Sequence, residues 1–152
     1  MDDGLPERLL GVTTFVLARA GRAGRARMGA LADGHGLGLW HVAVLAALAE
    51  GPPVSQRALG TRLGIDPSDL VEVVGRLEGL GLARRERDPA DRRRYLVEPT
   101  AAGRAELDAV TAGAARLDAE LLAPLDPGER AQLHALLLRV LAHHDPRAGG
   151  VR

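Results

Sequence analysis

SQRALGTRLGIDPSDLVEVVGRLEGLGLARRERDPADRRRYLV, residues 55–97, is the stretch that decides the fold. Ser55 stands where a helix N-cap belongs, ahead of Leu59 and Leu63, and Gly64 suits the close of that helix. Asp66-Pro67 reads as a second cap followed by a first-turn proline, whose missing N–H costs nothing there. Leu70, Val73, Val74, Leu77 and Leu80 then recur at the three-and-four spacing of one helical face. Two short helices joined by Leu63-Gly64-Ile65-Asp66 have the dimensions of a helix-turn-helix. After Gly81 the period changes. Leu82–Arg87 and Arg93–Val97 read as extended segments around the turn-forming Asp88-Pro89-Ala90-Asp91-Arg92, which predicts a β-hairpin with a charged tip.

Outward from this stretch the chain is helical. Trp40, Val44, Leu45 and Leu48 give a short helix over Leu39–Glu50, stopped by Gly51-Pro52-Pro53, with Trp40 expected in the core. Earlier, Pro6 is suited to the first position of a helix carrying Leu9, Thr13, Val16, Leu17 and Ala20 on one face, with Leu10 at its edge. That pattern weakens across the Gly/Arg-rich Gly21–Gly29 and ends at Gly34-His35-Gly36. On the other side, Thr100 caps a long helix bearing Leu107, Val110, Ala114, Leu117 and Leu121, a stripe that predicts pairing with a second chain. Asp126-Pro127-Gly128-Glu129 resembles a capping box opening a last helix with Leu133, Leu136, Leu137, Val140 and Leu141. The tail, 146–152, is expected to be flexible. No internal repeat is present.

Composition agrees with a mainly α fold (α+β class). The 152 residues are 46% hydrophobic with one Phe, one Trp and one Tyr, so Leu, Val and Ala must build the core. Such a core suits helix packing. There is no cysteine, which excludes disulfides, Cys-ligated zinc and thiol redox sensing. Apolar runs such as Val42–Ala49 are too short to span a bilayer, and Met1-Asp2-Asp3 does not open a signal peptide, so no membrane partner is expected and a cytoplasmic location is. Net charge is zero and all 20 basic residues are Arg, a bias that GC-rich codon usage explains. Its distribution says more. Residues 84–95 hold six Arg against three acids, while residues 96–145 hold four Arg against eight acids. A basic patch therefore sits beside an acidic helical region.

In this order of elements, the second helix of the helix-turn-helix would enter a DNA major groove and the hairpin tip would reach phosphates or the minor groove. A guanidinium on a short turn fits a narrow, electronegative groove. Arg92 and Arg93 are the tip candidates, with Asp91 expected to hold one of them in a salt bridge. Arg84 and Arg85 fall at the hairpin base, nearer phosphates.

Over residues 37–104 the chain resembles the MarR (multiple-antibiotic-resistance regulator) winged-helix transcription factors. The resemblance rests on Trp40-His41-Val42-Ala43-Val44-Leu45, Leu63-Gly64-Ile65-Asp66-Pro67-Ser68 and Leu77-Glu78-Gly79-Leu80-Gly81-Leu82. Most specific is the wing motif Asp88-Pro89-Ala90-Asp91-Arg92-Arg93, followed by Thr100-Ala101-Ala102-Gly103. It implies a winged helix-turn-helix lobe, residues 37–99, with a small β-hairpin wing. A helical dimerisation region would come from both termini, residues 5–33 and 100–145. It implies, further, a homodimer acting as a ligand-responsive repressor on a pseudo-palindromic site in double-stranded DNA, with no cofactor. Ser68, Asp69, Glu72 and Arg76 would face the DNA from the recognition helix. Ser55, Gln56 and Arg57 would open the supporting helix near phosphates, and Arg93 would be the wing arginine. His41 and Trp40 would border a cleft for a small aromatic or phenolic effector.

Three features depart from the family pattern. Val71 and Glu72 stand where Thr or Arg is common, making the recognition helix less basic. Pro99 replaces a common Leu at the end of the second hairpin strand. The lack of cysteine closes the thiol-oxidation route that some members use. The five histidines (35, 41, 134, 143, 144) show no ligand spacing, so no metal site is expected, although a metal-responsive regulator is a third reading. With no Gly-x-Ser-x-Gly elbow or paired carboxylates in a catalytic setting, no enzyme is expected. The alternative is a helical dimeric protein-interaction module that has lost DNA binding, which the zero net charge and the acidic Asp69 and Glu72 favour.

Overall fold

The computed structural model describes residues 4–147. Helices α1 (Glu7–Leu10), α2 (Thr13–Gly34) and α3 (Leu39–Ala49) lead into strand β1 (Val54–Ser55). The helix pair α4 (Gln56–Leu63) and α5 (Pro67–Gly79) follows, then strands β2 (Ala83–Arg87) and β3 (Tyr95–Pro99). Helices α6 (Ala101–Leu121) and α7 (Pro127–His144) complete the order. This is a mostly helical winged-helix architecture with a small antiparallel sheet.

The starts of α4, α5, α6 and α7 each follow from a side chain that satisfies an orphan N–H. Ser55 accepts from the Ala58 N–H at 3.2 Å, Asp66 from Ser68 at 2.9 Å, and Thr100 from Gly103 at 3.0 Å. Asp126 and Glu129 satisfy each other's backbone N–H reciprocally, both at 2.9 Å. Gly64 closes α4 with φ +66°, a left-handed turn that the missing Cβ makes cheap.

The sheet has three strands in the order β1-β3-β2, one more than the expected hairpin. Val54 pairs with Val97, and Ala83 with Pro99, so the two long strands run from the core to the tip in register. Val97 and Ala83 are buried and join Val44, Leu45, Leu48, Leu59, Leu70, Val74 and Leu77 in one core. Helix α3 packs on both α5 and α6. Gly103 is where α6 crosses the hairpin: a Cβ there would collide with the Leu82 carbonyl.

Several expectations are corrected. Pro6 is the N-cap of α1, not its first helical residue, and Gly11-Val12 interrupt the predicted single helix. The Gly21–Gly29 stretch is continuous helix, because α2 packs along α6 there, with Gly24 near Leu121. The α6 stripe is thus largely covered within the chain: Val110 is buried, and Ala114, Leu117 and Leu121 are half-buried. Trp40 is 50% exposed, since Leu37 closes the core at that end and the first turn of α3 projects beyond it. Leu80 caps α5 and is exposed. Within the tail, Arg147 is ion-paired to Asp145, and 148–152 lie outside the described residues.

Candidate nucleic-acid interface

The α5 helix buries Leu70, Val73, Val74 and Leu77 and exposes Ser68, Asp69, Val71, Glu72, Gly75 and Arg76. Ser68 has two roles, since its N–H and its hydroxyl both donate to Asp66. Beside it, Gln56 and Arg57 on the first turn of α4 line a groove of about 500 Å³ that runs along Ile65, Pro67 and Val71. Ser55 is engaged as the α4 cap. Arg62 fixes this pair of helices to α3 by donating to the Ala47 carbonyl at 2.9 Å and pairing with Glu50.

The wing divides its arginines into two sets. Arg84 is bound to Glu98 and, at 3.2 Å, to Glu86. Arg85 lies 3.3 Å from Glu78 at the end of α5, which ties the hairpin base to that helix. At the tip the chemistry is reversed. Arg92, Arg93 and Arg94 are exposed and take no ion pair among the described residues. Arg87 donates to the Arg92 carbonyl at 2.8 Å and lies 5.3 Å from the Tyr95 ring centroid, in cation–π range.

The acids at the tip serve the backbone. Asp88 accepts the Ala90 N–H at 2.8 Å, and Asp91 accepts the Arg93 N–H at 3.0 Å. These are two consecutive Asx-turns. The salt bridge expected from Asp91 to Arg92 or Arg93 is therefore corrected: two residues of separation favour the local N–H over a guanidinium. Arg87, Arg94 and Tyr95 are parts of this tip that the pattern reading passed over. Two Asp residues in one short turn-forming stretch, each able to accept the N–H two residues on, are the signal for its fixed shape.

His41 stands apart from the wing. Its Nδ1 accepts the Gly38 N–H at 2.9 Å in the first turn of α3. Burial and then the nearby Arg76 charge hold its pKa below the usual histidine value. Trp40 beside it presents half its surface to solvent. His35 is held by Glu106 at 2.6 Å, joining the end of α2 to α6. Among the described residues, no group of three His, Asp or Glu side chains is placed to hold a metal ion. No single described helix is long and apolar enough to cross a membrane.

A sequence model of the MarR family matches residues 35–94. Transcriptional regulator HosA of Escherichia coli is 39% identical over 97 residues, covering 64% of this chain and 71% of that protein. The HTH-type transcriptional repressor NicR of Pseudomonas putida is 34% identical over 105 residues, covering 69% of this chain and 66% of its own length, just under two thirds. Among solved structures, the PcaV transcriptional regulator of Streptomyces coelicolor, in complex with its natural ligand, is 30% identical with a TM-score of 0.71. That match covers 93% of this chain and 99% of the other.

Proposed function

The chain belongs to the MarR family of transcriptional regulators, and we propose that within it this protein is a ligand-responsive repressor that binds a pseudo-palindromic operator as a homodimer. The observation that carries the DNA-binding part is the wing tip. Among the described residues its exposed arginines take no ion pair, and the two carboxylates among them are spent on backbone N–H groups. A surface of that kind gains from releasing the counterions of a phosphate backbone. Arg92 and Arg93 contact DNA from the tip, and Arg84 and Arg85 stiffen its base while Asp91 shapes the turn. Ser68, Asp69, Glu72 and Arg76 face the major groove. Ser55, Gln56 and Arg57 meet the flanking backbone.

The dimer is supported by surfaces that the single chain leaves open. Helix α7 buries none of its residues, and Leu136, Leu137, Val140 and Leu141 are all exposed. Val16 and Leu17 on α2 are exposed as well. A second copy covering these faces would assign 5–33 and 100–145 to dimerisation and 37–99 to DNA. Two-fold symmetry would then set the recognition helices about 34 Å apart, one turn of the duplex.

For the effector we favour a small aromatic or phenolic anion beside His41 and Trp40, consecutive residues in the first turn of α3. That helix packs on both α6 and α5, so a ligand preferring another lobe spacing would shift the DNA-competent population.

Fluorescence anisotropy with the duplex upstream of the gene itself, against a scrambled duplex at two salt concentrations, tests the reading. Selective, salt-sensitive binding is the expected result. An absence of binding to any duplex at low salt would sink it and favour a protein-interaction module, which the acidic Asp69 and Glu72 would suit. Because Trp40 is the only tryptophan, quenching of its emission by phenolic acids reports the effector site directly.

A further inference from the structure

The exposed face of α5 has an unusual make-up for a surface that meets a polyanion. At about 100° per residue, the buried Leu70, Val73, Val74 and Leu77 centre on one side of α5, and Glu72 lies within about 30° of the opposite direction, with Ser68 still nearer to it. Asp69, Gly75 and Arg76, three or four positions away, flank it on the same stripe. Neither Asp69 nor Glu72 takes an ion pair or a side-chain hydrogen bond among the described residues, so their acceptor oxygens are open.

Gly75 is a second, independent observation. Glycine is a poor residue for a helix interior, and its presence ordinarily answers a need for positive φ or for internal space. Neither need exists here. Gly75 is absent from the positive-φ glycines, which are Gly36, Gly64 and Gly81. A Cβ built on it would meet no heavy atom within 4 Å. Gly79, one turn on, has the same clearance, as do Gly21, Gly29 and Gly34 on α2, so clearance alone names no occupant; on α5 it leaves the backbone beside Glu72 open to close approach.

The geometry points to Glu72 as a base-reading residue: its carboxylate accepts a hydrogen bond from a cytosine N4 amino group in the major groove, and Gly75 lets α5 sit close enough to reach it. This deepens the DNA-binding reading and rests on it. A carboxylate is repelled by phosphates but matches the one major-groove edge of a C·G pair that only donates. One turn further along, about 6 Å or two base steps, Arg76 supplies donors for guanine O6 and N7. Each half-site is thus expected to carry a required cytosine with a guanine near it, while the wing arginines supply attraction without choosing bases.

The test is selection of duplexes from a randomised pool by the wild-type protein, Glu72→Gln and Gly75→Ala, followed by affinity measurements on the selected sites. Wild type is expected to enrich a cytosine at one fixed half-site position. Glutamine pairs with adenine N6 and N7, so Glu72→Gln should move that preference from C to A by about tenfold or more. The ratio between sites is the readout, because loss of a negative charge tightens binding to every duplex. Gly75→Ala should melt at an equal or higher temperature yet bind the operator about tenfold more weakly, a combination that damage to the fold cannot produce. If Glu72→Gln keeps the cytosine preference, or Gly75→Ala binds like wild type, the inference falls while the DNA-binding reading stands. If wild type enriches no duplex at all, both fall together.

Discussion

Removing the Arg93 guanidinium is expected to change the salt dependence of operator binding rather than the fold. The Asx-turn at Asp91 uses the Arg93 backbone N–H at 3.0 Å, which alanine retains, and the side chain makes no ion pair among the described residues. Arg93→Ala should therefore melt at the wild-type temperature. Each phosphate neutralised contributes about 0.9 to the slope of log K against log salt. A two-fold dimer carries the change twice, so the slope should flatten by about 1.8. Between about 50 and 200 mM salt, the affinity lost would then be roughly tenfold smaller than for wild type. Arg116→Ala is the control, since it removes the same charge from an exposed site on α6. That site lies about 20 Å along the helix from the hairpin base, well beyond a Debye length of about 10 Å. Anisotropy titrations at four or five salt concentrations give both slopes. Equal flattening in the two variants would mean that net charge, not the wing, governs attraction, and the reasoning would be wrong.

Further outcomes follow from other contacts. Gly103→Ala drives a methyl group into the Leu82 carbonyl, and should cost about 2 kcal/mol or more and roughly 5 °C in Tm. An unchanged melting curve would mean that α6 can slide off the hairpin freely. His41 has its pKa lowered by burial first and by Arg76 second. Below its unfolded pKa of about 6.5 the unfolded chain takes up the proton first, so stability held above that pH is lost as pH falls towards the folded value. Glutamine at this third helical position can still accept the Gly38 N–H, so His41→Gln should flatten the loss of Tm between pH 7 and 5; an unaltered profile would assign the pH effect elsewhere. Leu137→Asp places a charge on the exposed face of α7 and should convert a dimer to monomer by sedimentation at micromolar concentration, whereas a persistent dimer would put the interface on another surface.

Most of the fold was legible because its boundaries are local chemistry. Ser55, Asp66, Thr100 and Asp126 cap the helices that follow them, and each needs only its next two or three residues to do so. The apolar spacing of α5 likewise carried its own reading, apart from Leu80 at the terminus. What the sequence hid was non-local. β1 is two residues long and exists because the edge of β3 is there to pair with Val54 and Ser55. Trp40 fits the apolar stripe of α3, but a stripe does not say where the core ends, and Leu37 ends it first. The Gly-rich middle of α2 is helix because α6 lies beside it, a tertiary effect that outweighs propensity. At the interface, the arginine cluster was visible as composition, but its division into paired base and unpaired tip depends on cross-strand neighbours such as Glu98 and on Glu78 in another element.

That division also constrains how a ligand could release DNA. The Arg85–Glu78 pair fastens the hairpin to the end of α5, and Val97, Ala83, Val74 and Leu77 share one core beneath them. A change inside the lobe would have to break this core, at about 1.5–3 kcal/mol for each buried side chain exposed, more than a small effector can supply across several residues. The contacts between the lobe and the long helices are fewer than those inside it and are in part polar. Arg104 donating to the Ala49 carbonyl at 3.2 Å is a polar contact of this kind, and it can rearrange without opening apolar surface. In the proposed mechanism, therefore, each winged lobe moves as a rigid body, and the effector acts by altering the spacing of the two lobes. The shape of either recognition surface stays as it is, so a ligand that weakens operator binding should leave the base preference of α5 unchanged.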